Sequence, residues 1–478
     1  MASSLLNGKA FKNNKIAFHP NASKRIAASQ KRFERERRLS RKLGNNRLTI
    51  QNILTHPYFQ IGVLITLLFS LYCITLSTVP FHPDEATTLF KSGDVKDLIS
   101  NPSALAYRGQ DPIDLSLHYR LIDPPINSLI LGLVQSIADV PFSQTDWNWT
   151  LDWNANQQSG SLPSVKSLHF ARLSFLVLFP FTCLFLYLAA KNLSNHWTGL
   201  FAVLFFALNP IILLHSRRAM AEGVFVFFAC IFLYLIFDKK KHLISVPILM
   251  AFCLNSKQTA LFLLPTYVLY FLLLNSKQKI SHWIKTTALF LLIPLVLTYL
   301  LNPVAWLDPL QTIQAAVHER TALNQSTQAY LQEYYPERVS QSVVLRLALV
   351  HYHAFFEPIA LADTANYQAQ QQLSFDRYSQ IPLQHQNRSS FLATLQIIVL
   401  LSVFLIQGLN WWRNRKKLPE NFTRWVLFYS GFGFSLLGLS LLPGLYQRYI
   451  VILVPFIAML NGWIPSQIIL RFGKTKPA

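Results

Sequence analysis

Ten apolar runs, most of them long enough to cross a bilayer, recur along this chain, and that recurrence limits the fold more than any other feature. They lie near residues 58–79, 168–190, 197–214, 220–237, 243–256, 259–274, 286–303, 389–409, 425–442 and 449–467. A helix needs about 20 apolar residues to cross the hydrocarbon core, where every backbone group must find its partner within the protein. The prediction is an all-α polytopic membrane protein of about ten transmembrane helices with two large extracytoplasmic loops. Only 14% of the residues are charged, where a soluble domain carries about a quarter, and mean hydropathy is +0.29. A disordered chain, a collagen, a coiled coil and a disulfide scaffold are excluded. Cys73, Cys183, Cys230 and Cys253 all lie inside apolar runs without paired spacing, which reads as packed thiols rather than a metal or redox site.

Charge sets the orientation. The net charge is +21, and 13 of the 43 Lys and Arg residues fall before residue 48, beside Glu34 and Glu36. A basic tail next to a span reads as an orientation signal and lipid contact, not as a nucleic-acid site. With that tail inside, the inner segments also receive Lys239-Lys240-Lys241, then Lys277, Lys279 and Lys285, then Arg413, Arg415, Lys416, Lys417 and Arg424, and last Arg471, Lys474 and Lys476. The outer segments are acidic: 80–167 has ten acids against five bases, and 304–388 has seven against five. The positive-inside rule then puts both termini in the cytoplasm of a multi-pass cell-membrane protein. The expected divisions are a tail at 1–57, a membrane core at 58–303 including the outer loop 80–167, an outer region at 304–388, and C-terminal helices at 389–478. The run Ile126 to Ile137 is too short to span and reads as an interfacial helix. The fifth and sixth runs join through Asn255-Ser256-Lys257, as a helical pair meeting near one membrane face.

Directly after the first span comes Phe81-His82-Pro83-Asp84-Glu85-Ala86. One reading is a helix start, with proline in the first turn and acids at the positive end of the dipole. The other is an acid pair at the membrane surface, one carboxylate serving as general base for a hydroxyl. Cations stand at the outer ends of later spans: Arg172, Arg217-Arg218 with Glu222, Lys257 and Arg448. Each could snorkel to the headgroups. Together, on the side of Asp84 and Glu85, they suit a lipid phosphate entering from the bilayer.

The order of these motifs carries a resemblance. A span, His82-Pro83-Asp84-Glu85-Ala86, Asp123-Pro124-Pro125 before an amphipathic run, and Arg172 come first. Asn209-Pro210, Ser216-Arg217 through Glu222, Lys257-Gln258-Thr259-Ala260 and Tyr446-Gln447-Arg448-Tyr449 with Pro455 follow. Across residues 58–466 this resembles the GT-C glycosyltransferases, in the protein O-mannosyltransferase and aminoarabinose transferase branch. The resemblance implies transfer of a sugar, hexosyl or pentosyl, from a polyprenyl-phosphate donor to a hydroxyl of a protein, lipid or glycan, with inversion. It implies Asp84 as base with Glu85 orienting it or the acceptor. Arg448, Lys257, Arg172 and Arg217 would bind the donor phosphate, and Glu222 and His82 would contact the sugar or a cation. The resemblance names no definite cofactor, and a divalent cation is left open. One position departs from the pattern: Asp123 stands where relatives carry a basic residue or histidine, so Arg120 or the other cations would have to serve the phosphate.

His351 and His353 lack a ligand-rich motif and read as loop histidines. No phosphate-cradling glycine loop or dinucleotide fingerprint occurs, so a nucleotide-sugar donor is not expected. A transporter or flippase of a lipid-linked saccharide is the alternative. It would place its ionisable groups at the midplane of broken helices, whereas here they gather at one face.

Overall fold

The computed structural model describes residues 55–110, 112–276, 278–336, 339–340, 342–363, 367–381, 390–413, 421–442 and 444–472. The basic tail expected to be cytoplasmic lies almost wholly outside them. By backbone contacts the chain divides into Met1–Gln60 and Ile61–Ala478. Of the first unit only the start of one helix is described; the helical bundle, the outer loops and the candidate site all belong to the second.

The described residues form helices joined by turns and loops, without a strand; one isolated antiparallel bridge joins Val339 and Gly444. The first helix is α1 (Pro57–Ile74). The first outer loop holds α2 (Pro83–Lys91), α3 (Asp94–Ser100), α4 (Leu115–Ile122), α5 (Ile126–Ile137) and α6 (Trp153–Gln158). Next come α7 (Val165–Leu176), α8 (Leu178–Leu193), α9 (His196–Ala207), α10 (Pro210–His215), α11 (Ala221–Phe237), α12 (Ser245–Leu254), α13 (Leu264–Asn275) and α14 (Ile280–Leu301). The second outer region carries α15 (Pro309–Tyr334), α16 (Val343–Phe355) and α17 (Gln368–Ser379). The chain then continues as α18 (Ser390–Arg413), α19 (Phe422–Leu441) and α20 (Val454–Phe472).

All ten apolar runs are helical, but they are not uniform rods. Among the described residues four stretches are long and apolar enough to cross a membrane: Pro57–Ile74, Val165–Leu193, Gln258–Asn275 and Ile280–Leu301. Several others are shorter or interrupted, and proline explains two of the breaks. Pro180 has no amide to give and crowds the carbonyl four residues back, at Leu176, where α7 ends. The run 197–214 breaks at Asn209-Pro210: the Asn209 side chain accepts the Ile211 amide at 3.0 Å and Pro210 opens α10. The second break leads through the short α10 into the Ser216-Arg217-Arg218 turn.

The core is a helical bundle in which α9 packs closely on α20. A Cβ on Gly462 would sit 2.6 Å from the Ala202 nitrogen and 2.7 Å from the Thr198 carbonyl. The two backbones therefore touch, and the Thr198 and Ser466 hydroxyls bond across them at 2.8 Å. Small residues serve in this way where lipid supplies no hydrophobic drive between helices. Leu291, Leu292 and Leu295 are exposed along α14, an apolar surface suited to lipid. Together these features support a polytopic membrane protein.

Candidate active site

The sequence His82-Pro83-Asp84-Glu85 builds a helix start first. His82 is the N-cap of α2: its Nδ1 accepts the Asp84 amide at 3.1 Å, and Glu85 Oε2 accepts the His82 amide at 3.1 Å. This reciprocal cap satisfies two amides that α2 would otherwise leave bare. Because successive helical residues point about 100° apart, the two acids then part company.

Glu85 turns inward and is fully buried. Arg172 grips it with two parallel bonds, Nε to Oε1 at 2.8 Å and Nη2 to Oε2 at 2.7 Å, and the Ala219 amide adds a third at 2.9 Å. Burial alone would raise the Glu85 pKa, but Arg172 and Arg218 together hold it below the usual value. Arg172 also donates to the carbonyls of Val79 and Pro80 at 2.8 and 3.2 Å. Arg218, fully buried, reaches the Leu361 carbonyl at 2.5 Å. Arg217 gives Nε to the Leu213 carbonyl at 2.5 Å and Nη1 to Thr75, and lies between the rings of Tyr72 and Tyr378.

Asp84 turns outward, with a third of its side chain exposed. Its carboxylate meets Arg448 Nη1, and Arg448 Nε stands 3.1 Å from Oδ2 of a second acid, Asp363. The same Asp363 oxygen lies 3.1 Å from His82 Nε2. Since Nδ1 of His82 accepts an amide, Nε2 carries the ring proton and donates it to Asp363. Burial pushes the Asp363 carboxyl up, but Arg448 and His82 outweigh it and hold the group well below the ordinary range. Beside this pair, Lys257 caps the 3-10 turn Gln258–Leu263 and donates to Glu222 at 2.5 Å. The Tyr449 ring stands 5.3 Å from the Lys257 ammonium and 5.7 Å from the Arg448 guanidinium, and so joins the two cations in one wall. Glu222 is buried, and its Oε2 has no hydrogen-bond partner among the described residues.

The first outer loop is clipped to this wall. The Ile126 amide donates to the Asn255 carbonyl at 3.0 Å, Asn127 to the Ser256 carbonyl at 2.7 Å, and Gln258 to the Ile122 carbonyl. The start of α5 thereby packs against the Lys257 turn. A Cβ on Gly132 would overlap the Ser92 carbonyl, so only glycine lets α5 lie this close to the end of α2. At the departing position, Asp123 holds Lys91 at 3.1 Å, while Arg120 is spent on Asp94 in two bonds of 3.0 and 2.6 Å.

The structure therefore brings together Asp84, Arg448, Lys257 and Glu222, and adds Asp363. It does not bring Arg172 or Arg217 to the exposed side of Asp84, since both are buried against protein acceptors. Glu85 and His82 are also wholly buried, His82 with both ring nitrogens engaged, so neither is placed to touch an acceptor or a sugar. Asp363 carries no signal in the sequence: it is one of seven acids in an outer segment without a motif around it. Among the described residues no three His, Cys, Asp or Glu side chains converge to hold a metal ion. A cavity of about 330 Å³ is lined by Glu357 to Ala362, Gln368 and Phe375, on either side of Asp363 in the chain.

Residues 165–306 match the family described as dolichyl-phosphate-mannose-protein mannosyltransferase. This segment holds Arg172, Arg217, Glu222 and Lys257; Asp84, Asp363 and Arg448 lie outside it. Among solved structures the chain is similar to ArnT from Cupriavidus metallidurans bound to undecaprenyl phosphate. The identity is 12% and the TM-score 0.45, over 86% of this chain and 61% of that one. The chain thus spans about three fifths of that relative's length. No curated protein sequence matches the chain. The family match, over residues 165–306, falls in the same branch that the order of motifs resembles.

Proposed function

We propose that this protein transfers a sugar from a polyprenyl-phosphate donor to an acceptor hydroxyl at the extracytoplasmic face of the cell membrane, with both termini cytoplasmic. The observation that carries the reading is the half-open Asp84 carboxylate beside a wall holding Arg448 and Lys257. A carboxylate with one exposed side can accept a proton, and two adjacent cations can receive a phosphate.

In this reading the acceptor hydroxyl approaches from the outer loops and gives its proton to Asp84. Its oxygen forms a bond to the anomeric carbon as the bond from that carbon to the phosphate oxygen breaks. The electron pair leaves with the polyprenyl phosphate, and Arg448 and Lys257 offset the added charge. Attack opposite the leaving group inverts the anomeric centre. Glu222, buried beneath the wall, fixes Lys257 through one oxygen and so holds the ammonium toward the phosphate. Arg172 and Arg217 act one layer behind, holding Glu85 and the end of the first span, and Glu85 and His82 hold α2 so that Asp84 faces out. The region 304–388 shapes the acceptor side. No step is routed through a divalent cation.

The test is sugar release by the purified full chain from a panel of labelled hexosyl and pentosyl polyprenyl phosphates, with Asp84→Asn beside wild type. A positioned base contributes roughly 10²–10⁴ in rate, so the variant should lose at least about 100-fold while still binding polyprenyl phosphate. Equal turnover by both proteins would remove Asp84 from the chemistry. Movement of intact donor across a bilayer without sugar release would favour the transporter.

A further inference from the structure

Asp84, Arg448, Asp363 and His82 form a closed ring. The Asp84 amide donates to His82 Nδ1, His82 Nε2 to Asp363, Arg448 Nε stands against that same Asp363 oxygen, and Arg448 Nη1 returns to the Asp84 carboxylate. One guanidinium thus serves two carboxylates that differ in freedom. Asp363 is buried and held from two directions: His82 bonds its side chain, and its own amide donates to the hydroxyl of fully buried Tyr367 at 3.1 Å. Asp84 stands on the first turn of α2 with a third of its side chain exposed and the exit side open.

We infer that Asp363 is a positioning residue, the fixed post that keeps the Arg448 guanidinium at the site while Arg448 exchanges the Asp84 carboxylate for the donor phosphate. The inference rests on the transferase reading and adds a residue and an order of events to it. The donor phosphate, a diester, offers two charged acceptor oxygens and one negative charge, as a carboxylate does, so it competes for the same Nη groups. Of the two carboxylates, only Asp84 can leave. The Tyr446 and Tyr449 rings lie 5.5 and 5.7 Å from the guanidinium, and Asp363 is the acid that keeps Arg448 from following Asp84. Before the donor arrives, Arg448 holds one oxygen of the Asp84 carboxylate; once the phosphate has claimed Nη1, both oxygens are free for the acceptor hydroxyl. The whole carboxylate is thereby released only where there is a donor to attack. Without Asp363, Arg448 has no fixed partner and follows either Asp84 or the phosphate.

The experiment is a double-mutant cycle on the full chain, reading kcat and KM for the donor and Kd for polyprenyl phosphate. Misplacing a group by about 1 Å can cost about 100-fold. Asp363→Asn should therefore lower kcat by roughly 10- to 100-fold while Kd stays within about threefold of wild type. Residues that act through one another are not additive, so Asp363→Asn placed on Arg448→Lys should add less than about threefold. Asp363→Glu should recover part of kcat. Multiplicative losses in the double variant, or an unchanged kcat in Asp363→Asn, overturn the inference. If Asp363→Asn does not fold, Tyr367→Phe removes only the hydroxyl that steadies the Asp363 backbone. It should lower kcat less, still without adding to Arg448→Lys, and additivity there overturns the inference as well. A wild type inert toward every donor would end the transferase reading by itself. The inference would then be decided by binding: Arg448→Lys should weaken polyprenyl phosphate about tenfold and Asp363→Asn should not, and equal weakening by both overturns it.

Discussion

Asp84 and Glu85 are neighbours in sequence and carry the same charge, yet they occupy two different regions of the molecule. On the inner side of α2, Glu85 receives three hydrogen bonds from Arg172 and the Ala219 amide, with Arg218 close by, and no solvent reaches it. On the outer side, Asp84 has a share in one guanidinium and an open face. Saturation is what separates them. A carboxylate whose lone pairs are all taken by fixed donors can hold a structure together but has nothing left with which to accept a proton. One whose partner is shared and displaceable can do chemistry. The cations sort in the same way: Arg172 is spent on Glu85 and two carbonyls, whereas Arg448 and Lys257 share a tyrosine ring at the exposed side.

The sharpest way to break this comparison is to neutralise each acid with its amide and read both rate and stability. Asp84→Asn should show the largest effect, the loss of at least about 100-fold in turnover. Its thermal midpoint should hardly move, because a partly exposed ion pair contributes about 0–1 kcal/mol. Glu85→Gln should do the reverse in kind. It leaves Arg172 and Arg218 buried without their counter-ion, which costs about 3–5 kcal/mol and should appear as a large fall in thermal midpoint and folded yield. Folded Glu85→Gln protein at the wild-type midpoint, slow only in turnover, would move Glu85 from the scaffold into the chemistry.

Hydropathy and charge made the helical membrane architecture legible in the sequence, and all ten apolar runs are helices. The breaks were less legible, because Pro180 and Asn209-Pro210 act through single backbone groups that an average over twenty residues conceals. At the site, the two readings of His82-Pro83-Asp84-Glu85 describe one object: the cap is what aims Asp84. Residue type marked Arg448, Lys257 and Glu222, but it could not separate them from Arg172 and Arg217, because charge at a span end says nothing about which way the side chain turns. That depends on the Val79, Pro80 and Thr75 carbonyls, whose positions only the packed bundle sets. Asp363 was invisible for a related reason: it meets His82 across 281 positions of sequence, and no local pattern reports such a contact.

A third acid sharpens the contrast. Asp146 is buried like Glu85 but has no cation to answer it among the described residues; Thr87, Tyr119 and the Trp147 amide are its neighbours, with the Asp84 charge near by. Burial raises its pKa to about 6. The sign of the consequence is opposite to that of Glu85. Between the ordinary carboxyl value and 6 the folded protein binds more protons than the unfolded chain, so stability falls as pH rises through that window. Above it the ionised group costs up to roughly 3 kcal/mol, at about 1.4 kcal/mol per pKa unit. Asp146→Asn keeps the shape and removes the charge, so it should raise the thermal midpoint at pH 7.5 and lose that advantage at pH 4. Glu85→Gln, measured in the same series, should be most destabilised at pH 7.5 and approach wild type as acid protonates Glu85. A variant Asp146→Asn that is less stable than wild type at pH 7.5 would mean that the Asp146 carboxylate is held by donors as Glu85 is. Saturation would then no longer separate the scaffold acids from the rest.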